Sequence, residues 1–203
     1  VVLNKYLNKV LSSTFNAITV DSDTSTNDMV AIFATKKVKI KKLNTISSKE
    51  ALKFEKALRT VCLDLSKQIV VDGEGAKKFI TVKITNSTTL EKAKKIAFSI
   101  ANSPLIKTAI AGEDPNWGRI LMGLGKSGES IDPKKIVIKL GEFIVAEHGT
   151  VSESYNEKKL QEYMEWDSIL IEIDLKQGKE QYECYTCDFT HDYIDINANY
   201  RRS

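Results

Sequence analysis

The stretch FITVKITNSTTLEKAKKIAFSIANSP, residues 79–104, limits the folds open to this chain more than any other. Ile80, Val82 and Ile84 alternate with polar neighbours, so residues 79–85 read as a strand with one buried face. Thr88 and Glu91 then have capping-box spacing, and Ala93, Ile96, Ala97, Ile100 and Ala101 recur at helical spacing until Pro104 stops the run. A strand followed at once by a helix with a small-residue buried face requires that helix to pack closely on a sheet. The expectation is an α/β or α+β fold, with mixed sheets packed against helices.

With 203 residues and 42% hydrophobic content, the chain can bury one sizeable core without a disulfide or metal to hold it. Its 30 basic and 27 acidic residues leave a formal charge of +3. That balance excludes general attraction to nucleic acid or membrane and points to small molecules or protein as partners. KKVKIKK, residues 36–42, alternates with Val38 and Ile40 and reads as the wet face of a strand. Three cysteines, an odd number, suit a reducing cytoplasm better than a secreted disulfide scaffold. There is no signal peptide or membrane-length apolar run. VVLNKYLNKVLSS opens inside an amphipathic helix without an initiator Met, the pattern expected of part of a longer chain.

Leu3, Leu7, Val10 and Leu11 mark the first helix, and residues 15–20 lead on as a strand to the polar loop DSDTSTND, 21–28. MVAIFAT, 29–35, reads as a second strand, which would mount that loop between two buried elements. Ser47 with Glu50 forms another capping box, and Leu52, Phe54, Leu58, Val61, Cys62, Leu65 and Ile69 form a long helical stripe ending at VDGEG. In GEDPNWGRILMGLG, Asp114 is placed as the N-cap and Pro115 as the first helical residue, with Trp117, Ile120, Leu121 and Leu124 on the buried side. KIVIKL and GEFIVAEHG read as a hairpin or two short strands around Gly141, and residues 156–166 as a helix. SILIEIDLKQGKEQYECYTCD reads as a hairpin turned at Gly178, with Ile169, Ile171 and Ile173 alternating on its first strand. The tail DFTHDYIDINANYRRS is polar and aromatic and frays unless it docks. No linker or repeat divides the chain. Residues 1–150 are expected as the main α/β part and 151–203 as a helix, hairpin and tail.

Cys184 and Cys187 have redox or half-zinc spacing but lack a second ligand pair, and three residues apart on a strand they face opposite ways. His148 and His191 lack a serine-elbow or metal-type context and read as turn or surface residues. Arg119 is a candidate to pair with a surface carboxylate. VDGEGAKK, 71–78, sets Glu74 between Gly73 and Gly75. An acid there opposes anion binding, and the Lys-Ser or Lys-Thr of a phosphate loop is missing, so Glu74 either caps a turn or meets a cation. DSDTSTND, DGEG, GEDPNWGR and NANYRRS each follow a buried element and together are able to build one pocket.

The ordered strings SSTFNAITVDSDTSTND, VDGEGAKK, IANSPLIKTAIAGEDPNWGRI and CDFTHDYIDINANYRRS resemble successive motifs of the ornithine acetyltransferase (glutamate N-acetyltransferase) family of arginine biosynthesis. The resemblance spans essentially the whole chain. It implies a self-processed, N-terminal-nucleophile-type acyltransferase, cut into an α chain and a β chain whose new amino-terminal threonine is the nucleophile. This sequence resembles the β chain, in a heterotetramer of two α and two β chains in the cytoplasm. The reaction implied is ping-pong acetyl transfer from N2-acetylornithine to glutamate, with an oxyanion hole from the α chain and no cofactor. Acetyl-CoA is a further possible donor, and a binding chain without the nucleophile is the non-enzymatic alternative.

Carried over by motif, the substrate-site residues are Glu74, Asn197 and Ser203, with Arg202 as the alternative terminal position and Asn199 as a second candidate amide. The resemblance gives no catalytic residue within the chain. Val1 is not threonine, so the nucleophile is expected upstream, and Thr14, Thr19, Thr24 and Thr26 do not fill its role. Ser22 stands where the family usually has glycine, and Lys77 where threonine is common.

Overall fold

The computed structural model describes residues 2–39 and 48–199. Its centre is β1 (Phe79–Ser87), flanked by β5 (Ser168–Asp174) in parallel and β6 (Glu180–Cys187) in antiparallel. Outward from β5 lie β2 (Val137–Leu140), β3 (Phe143–Glu147) and β4 (Thr150–Val151), giving one six-stranded mixed sheet in the order β4-β3-β2-β5-β1-β6. Strands from both the 1–150 and 151–203 parts therefore share one sheet.

Ile80, Val82 and Ile84 of β1 and Ile169, Ile171 and Ile173 of β5 all point to one face and are buried. α3 (Leu90–Ala101) covers that face, and all five apolar positions expected to be buried are so. Its alanines let helix and sheet approach closely. α4 (Pro104–Ala111), α5 (Trp117–Lys126) and α6 (Glu157–Met164) complete this layer. The opposite face is polar across the middle strands. Lys83, Glu172 and Lys139 sit side by side on β1, β5 and β2, with Glu172 pairing to both lysines at 3.4 and 3.3 Å. At the β6 edge this face is covered by α2 (Lys49–Val71), whose Val70 packs with Tyr185 and Cys187. α1 (Val2–Leu11) lies on α2 through Tyr6 and Phe54, rings 5.2 Å apart.

Several elements differ from expectation. Residues 168–187 are not a hairpin, because β1 lies between the two strands. The link arches over the end of β1: Leu175 N donates to Thr85 O, and Gln177 and Gly178 N both donate to Asn86 O. A Cβ at Gly178 would collide with the Ser87 backbone, so the glycine serves close approach as well as turning. Residues 15–20 form a 3-10 turn, Phe15–Ala17, and then a single bridge from Ile18 to Tyr185. Residues 29–35 form no strand, for no described strand lies beside them, and Met29 and Phe33 are 84% and 85% exposed. Residues 36–39 are likewise irregular, and 40–42 lie outside the described residues.

Three caps fall later than the sequence suggests. Ser48 rather than Ser47 caps α2, with Ser47 outside the described residues, and Thr89 rather than Thr88 caps α3. Asn116, not Asp114, caps α5: its side chain accepts from Arg119 N at 3.1 Å, while Asp114 accepts from the Asn116 amide at 3.0 Å and so braces the cap. Pro104 ends α3 and also begins α4, a helix the sequence pattern did not announce. On α2 the buried residues are Ala51, Cys62, Ser66 and Val70, whereas Leu52, Val61, Leu65 and Ile69 are about half exposed.

Candidate functional site

Three segments meet where α2 and β6 end: the loop 72–78, the turn 186–190, and α7 (His191–Asn199). The loop contains both glycines. Gly75 has φ +71, and a Cβ there would run into the backbone of Asp192 and Tyr193. Gly73 lies against Val20 Cγ1, Val70 O and Cys187 Sγ, with its Cβ position 3.1 to 3.4 Å from them. One glycine thus supplies a left-handed bend and both supply closeness. Glu74, between them, is pushed into solvent.

Glu74 and Asn197 are 123 positions apart in sequence, yet the Asn197 side-chain amide donates to Glu74 Oε2 at 2.7 Å. Its other N–H donates to Tyr193 O, one helical turn back, at 2.9 Å. Asn197 is therefore oriented by its own helix before it reaches the acid. Glu74 Oε1 takes no hydrogen bond from a described residue. The carboxylate keeps an open oxygen toward solvent, as an ammonium or amine ligand requires. Ser203 and Arg202 lie outside the described residues. Asn199 does not reach Glu74 and donates to Asp195 O within α7.

α7 has no buried residue and is held by polar bonds. Thr190 Oγ1 donates to Gly75 O at 2.7 Å, and Lys77, which stands where threonine is common in the resembling family, forms an exposed 2.9 Å ion pair with Asp192. Tyr193 donates its hydroxyl to Asp21 Oδ2 at 2.9 Å. Burial and that hydrogen bond, with the negative charges of Asp21, Glu74 and Asp23, push the phenol up to about 12, so it remains a donor. This contact brings DSDTSTND to the site. Ser22 there has φ +79, the left-handed conformation glycine takes readily, while Thr19 donates to Asn102 at 2.7 Å.

Tyr193, Asp21, Thr190, Lys107 and Asp188 were not singled out by sequence reasoning. The last two have a visible signal: Lys107 falls on the same helical face as Ile106 and Ile110, and Asp188 directly follows a buried strand. GEDPNWGR joins less directly, through Glu113, which pairs with the buried Lys78 at 3.1 Å. Arg119 meets no carboxylate among the described residues; it donates to Leu105 O at 2.7 Å and anchors α5 on α4. His148, in a turn at φ +54, and His191 are both exposed.

All three cysteines are free and buried. Cys184 packs in the main core and Cys187 on the opposite face, as strand parity demands. Burial raises both thiols, and no group of three or more metal-ligating side chains occurs among the described residues.

The sequence matches the ArgJ family model over residues 1–202. It is 46% identical over 200 residues to the arginine biosynthesis bifunctional protein ArgJ of Zymomonas mobilis and 44% identical over 202 residues to that of Brucella melitensis, in both cases covering 98% of this chain and 49% of the relative. The chain thus spans about half the length of the curated relatives it matches. A crystal structure of the arginine biosynthesis bifunctional protein argJ from Bacillus halodurans superposes with a TM-score of 0.92 at 39% identity, covering 98% of this chain and 92% of the other. On sequence agreement over residues 1–202 and a shared architecture, the chain belongs to the ArgJ family.

Proposed function

We propose that this chain is the β-chain part of a glutamate N-acetyltransferase. A threonine outside residues 1–203 attacks the acetyl carbonyl of N2-acetylornithine; the C–N bond breaks, ornithine leaves with a proton on its amine, and the acetyl group remains as a threonine ester. The amine of glutamate then attacks the ester and regenerates the hydroxyl. Both half-reactions handle an α-amino acid whose reacting group is the amine, so one pocket serves both.

The observation that carries this reading is the 2.7 Å contact between Glu74 and Asn197, which joins the two motif residues assigned to the substrate. Glu74 faces the substrate amine, Asn197 fixes its carboxylate plane and Ser203 is assigned to the same pocket.

The reading needs a partner, the α chain, supplying the oxyanion hole. A groove of about 1250 Å³ runs between α2 and residues 28–31, lined by Leu65, Ile69, Val71, Met29 and Val30. Exposed apolar rows on a helix and on an extended segment are suited to cover by another polypeptide. Coverage of half the curated relatives but 92% of a crystallised chain also agrees with a family member split in two. The assembly proposed is α2β2, in the cytoplasm, with no cofactor; among the described residues no helix is long and apolar enough to cross a membrane.

The relatives' description as bifunctional favours a second donor, acetyl-CoA, on the same scaffold. Purified two-chain protein should transfer acetyl from N2-acetylornithine to glutamate. Acetyl-CoA with glutamate tests the second donor, and a folded assembly active with neither donor would leave only a binding role.

A further inference from the structure

Two charged side chains at the site's base have no part in the scheme above. Lys107 on α4 is 1% exposed and Asp188, just after β6, is 2% exposed. Burying a charge is strongly unfavourable unless it is paired and hydrogen-bonded, so such residues require an account.

Lys107 grips the turn after β6. Its Nζ donates to Thr186 Oγ1 at 2.7 Å and to the Cys187 carbonyl, lies 3.8 Å from Cys187 Sγ, and stands 4.5 Å from the centre of the Phe189 ring. Phe189 N donates back to Lys107 O at 3.3 Å. Asp188 grips the glycine loop instead. Its Oδ1 accepts from Lys77 N at 2.8 Å and Lys78 N at 2.9 Å, and its own N donates to Lys78 O at 3.2 Å. Asp188 Oδ2 is buried without a hydrogen-bond partner. Lys107 holds the carbonyl of Cys187, the residue before Asp188, so the two buried charges share one turn; burial lowers the Lys107 ammonium, and the nearby Asp188 charge opposes that lowering.

From this anchor, two routes lead to the pocket. Thr190 ties the turn to Gly75 O, next to Glu74. Phe189 stacks on Tyr193 with ring centres 4.8 Å apart, and Tyr193 O orients Asn197. α7 has no buried face of its own, so these contacts decide where it lies.

We propose that Lys107 and Asp188 form a positioning couple, fixing the glycine loop and the start of α7 in one frame so that Glu74 and Asn197 meet the amino-acid substrate together. This rests on Glu74 and Asn197 being the substrate site. The couple touches no reacting atom and acts through Glu74.

A double-mutant cycle in the complete two-chain protein tests it. Lys107→Met should lower kcat/KM about tenfold, chiefly through KM for both amino-acid substrates, and its effect should shrink to within about twofold in a Glu74→Gln background. Equal factors in both backgrounds, or unchanged kcat/KM, would overturn the couple. Should Lys107→Met fail to fold, Asp188→Asn keeps an acceptor for both amides, removes the charge, and should show the same non-additivity. Hydrogen exchange decides independently of activity: residues 72–78 and 189–197 should exchange about tenfold faster in either variant while β1 and β5 stay protected. Unchanged exchange refutes the couple. If wild-type protein shows no transfer, the enzymatic reading fails, and exchange alone then decides the couple.

Discussion

At the scale of single residues, Glu74 is an exposed carboxylate between two glycines that lie close against neighbouring segments. Replacing it by Gln keeps the shape and the Asn197 contact but removes the charge proposed to hold the substrate amine. Glu74→Gln should therefore lower kcat/KM by about ten- to a hundredfold with little change in melting temperature, measured by steady-state kinetics beside a thermal scan. Unchanged kinetics would return Glu74 to the role of a turn residue. Ser22 offers a stability test at the same scale. It holds φ +79, which costs a residue with a Cβ more than it costs glycine. Ser22→Gly should stabilise the protein by about 0.5 kcal/mol in denaturant unfolding, the relief of strain outweighing the added freedom of the unfolded chain. A destabilised variant would mean that the Ser22 backbone is not strained.

At the scale of elements, α7 is tied to the site by polar contacts and contributes nothing to the core. Deleting residues 197–203 should abolish most transfer activity while the melting temperature changes little; a large fall would show the tail to be part of the fold. α7 also shows what was legible in the sequence. That Glu74 and Asn197 belong together was expected from motif resemblance, and the two are in contact, whereas Tyr193 and Asp21 are brought together by a contact 172 positions apart. The buried faces of β1 and α3 were readable because their periodicity is local and one-sided, while their ends were off by one or two residues. The pairing of β5 and β6 was not, for alternation on two successive strands says nothing about a third strand arriving between them from 80 residues earlier. The row Val61, Leu65 and Ile69 on α2 was recognised as apolar, but periodicity does not say whether an apolar row faces this chain's core or another surface.

At the scale of the whole molecule, the groups with raised pKa values set the alkaline limit. Cys184, Cys187, Tyr182 and Tyr185 are all raised by burial, Tyr185 to about 12 from an ordinary 10.0. The folded state thus holds protons that the unfolded chain has lost, and stability present below pH 9.0 falls as pH rises toward 12. Lys107, lowered by burial, acts in the opposite direction but is outnumbered by the raised groups, which include Tyr163 and Tyr193 as well. Urea unfolding between pH 8 and 11 should show this decline, and a rising or flat profile would contradict it. The three thiols should for the same reason resist alkylation at pH 8 until the protein is unfolded. The half-exposed apolar face of α2, the open oxygen of Glu74 and the coverage of half the curated relatives are the observations that support the proposed two-chain enzyme. The most direct test is acetyl transfer from N2-acetylornithine to glutamate by the assembled two-chain protein, with Glu74→Gln alongside. The expected result is ping-pong kinetics in the wild type and a strongly reduced kcat/KM in the variant; an intact assembly that transfers no acetyl group, or a variant as active as the wild type, would contradict the account.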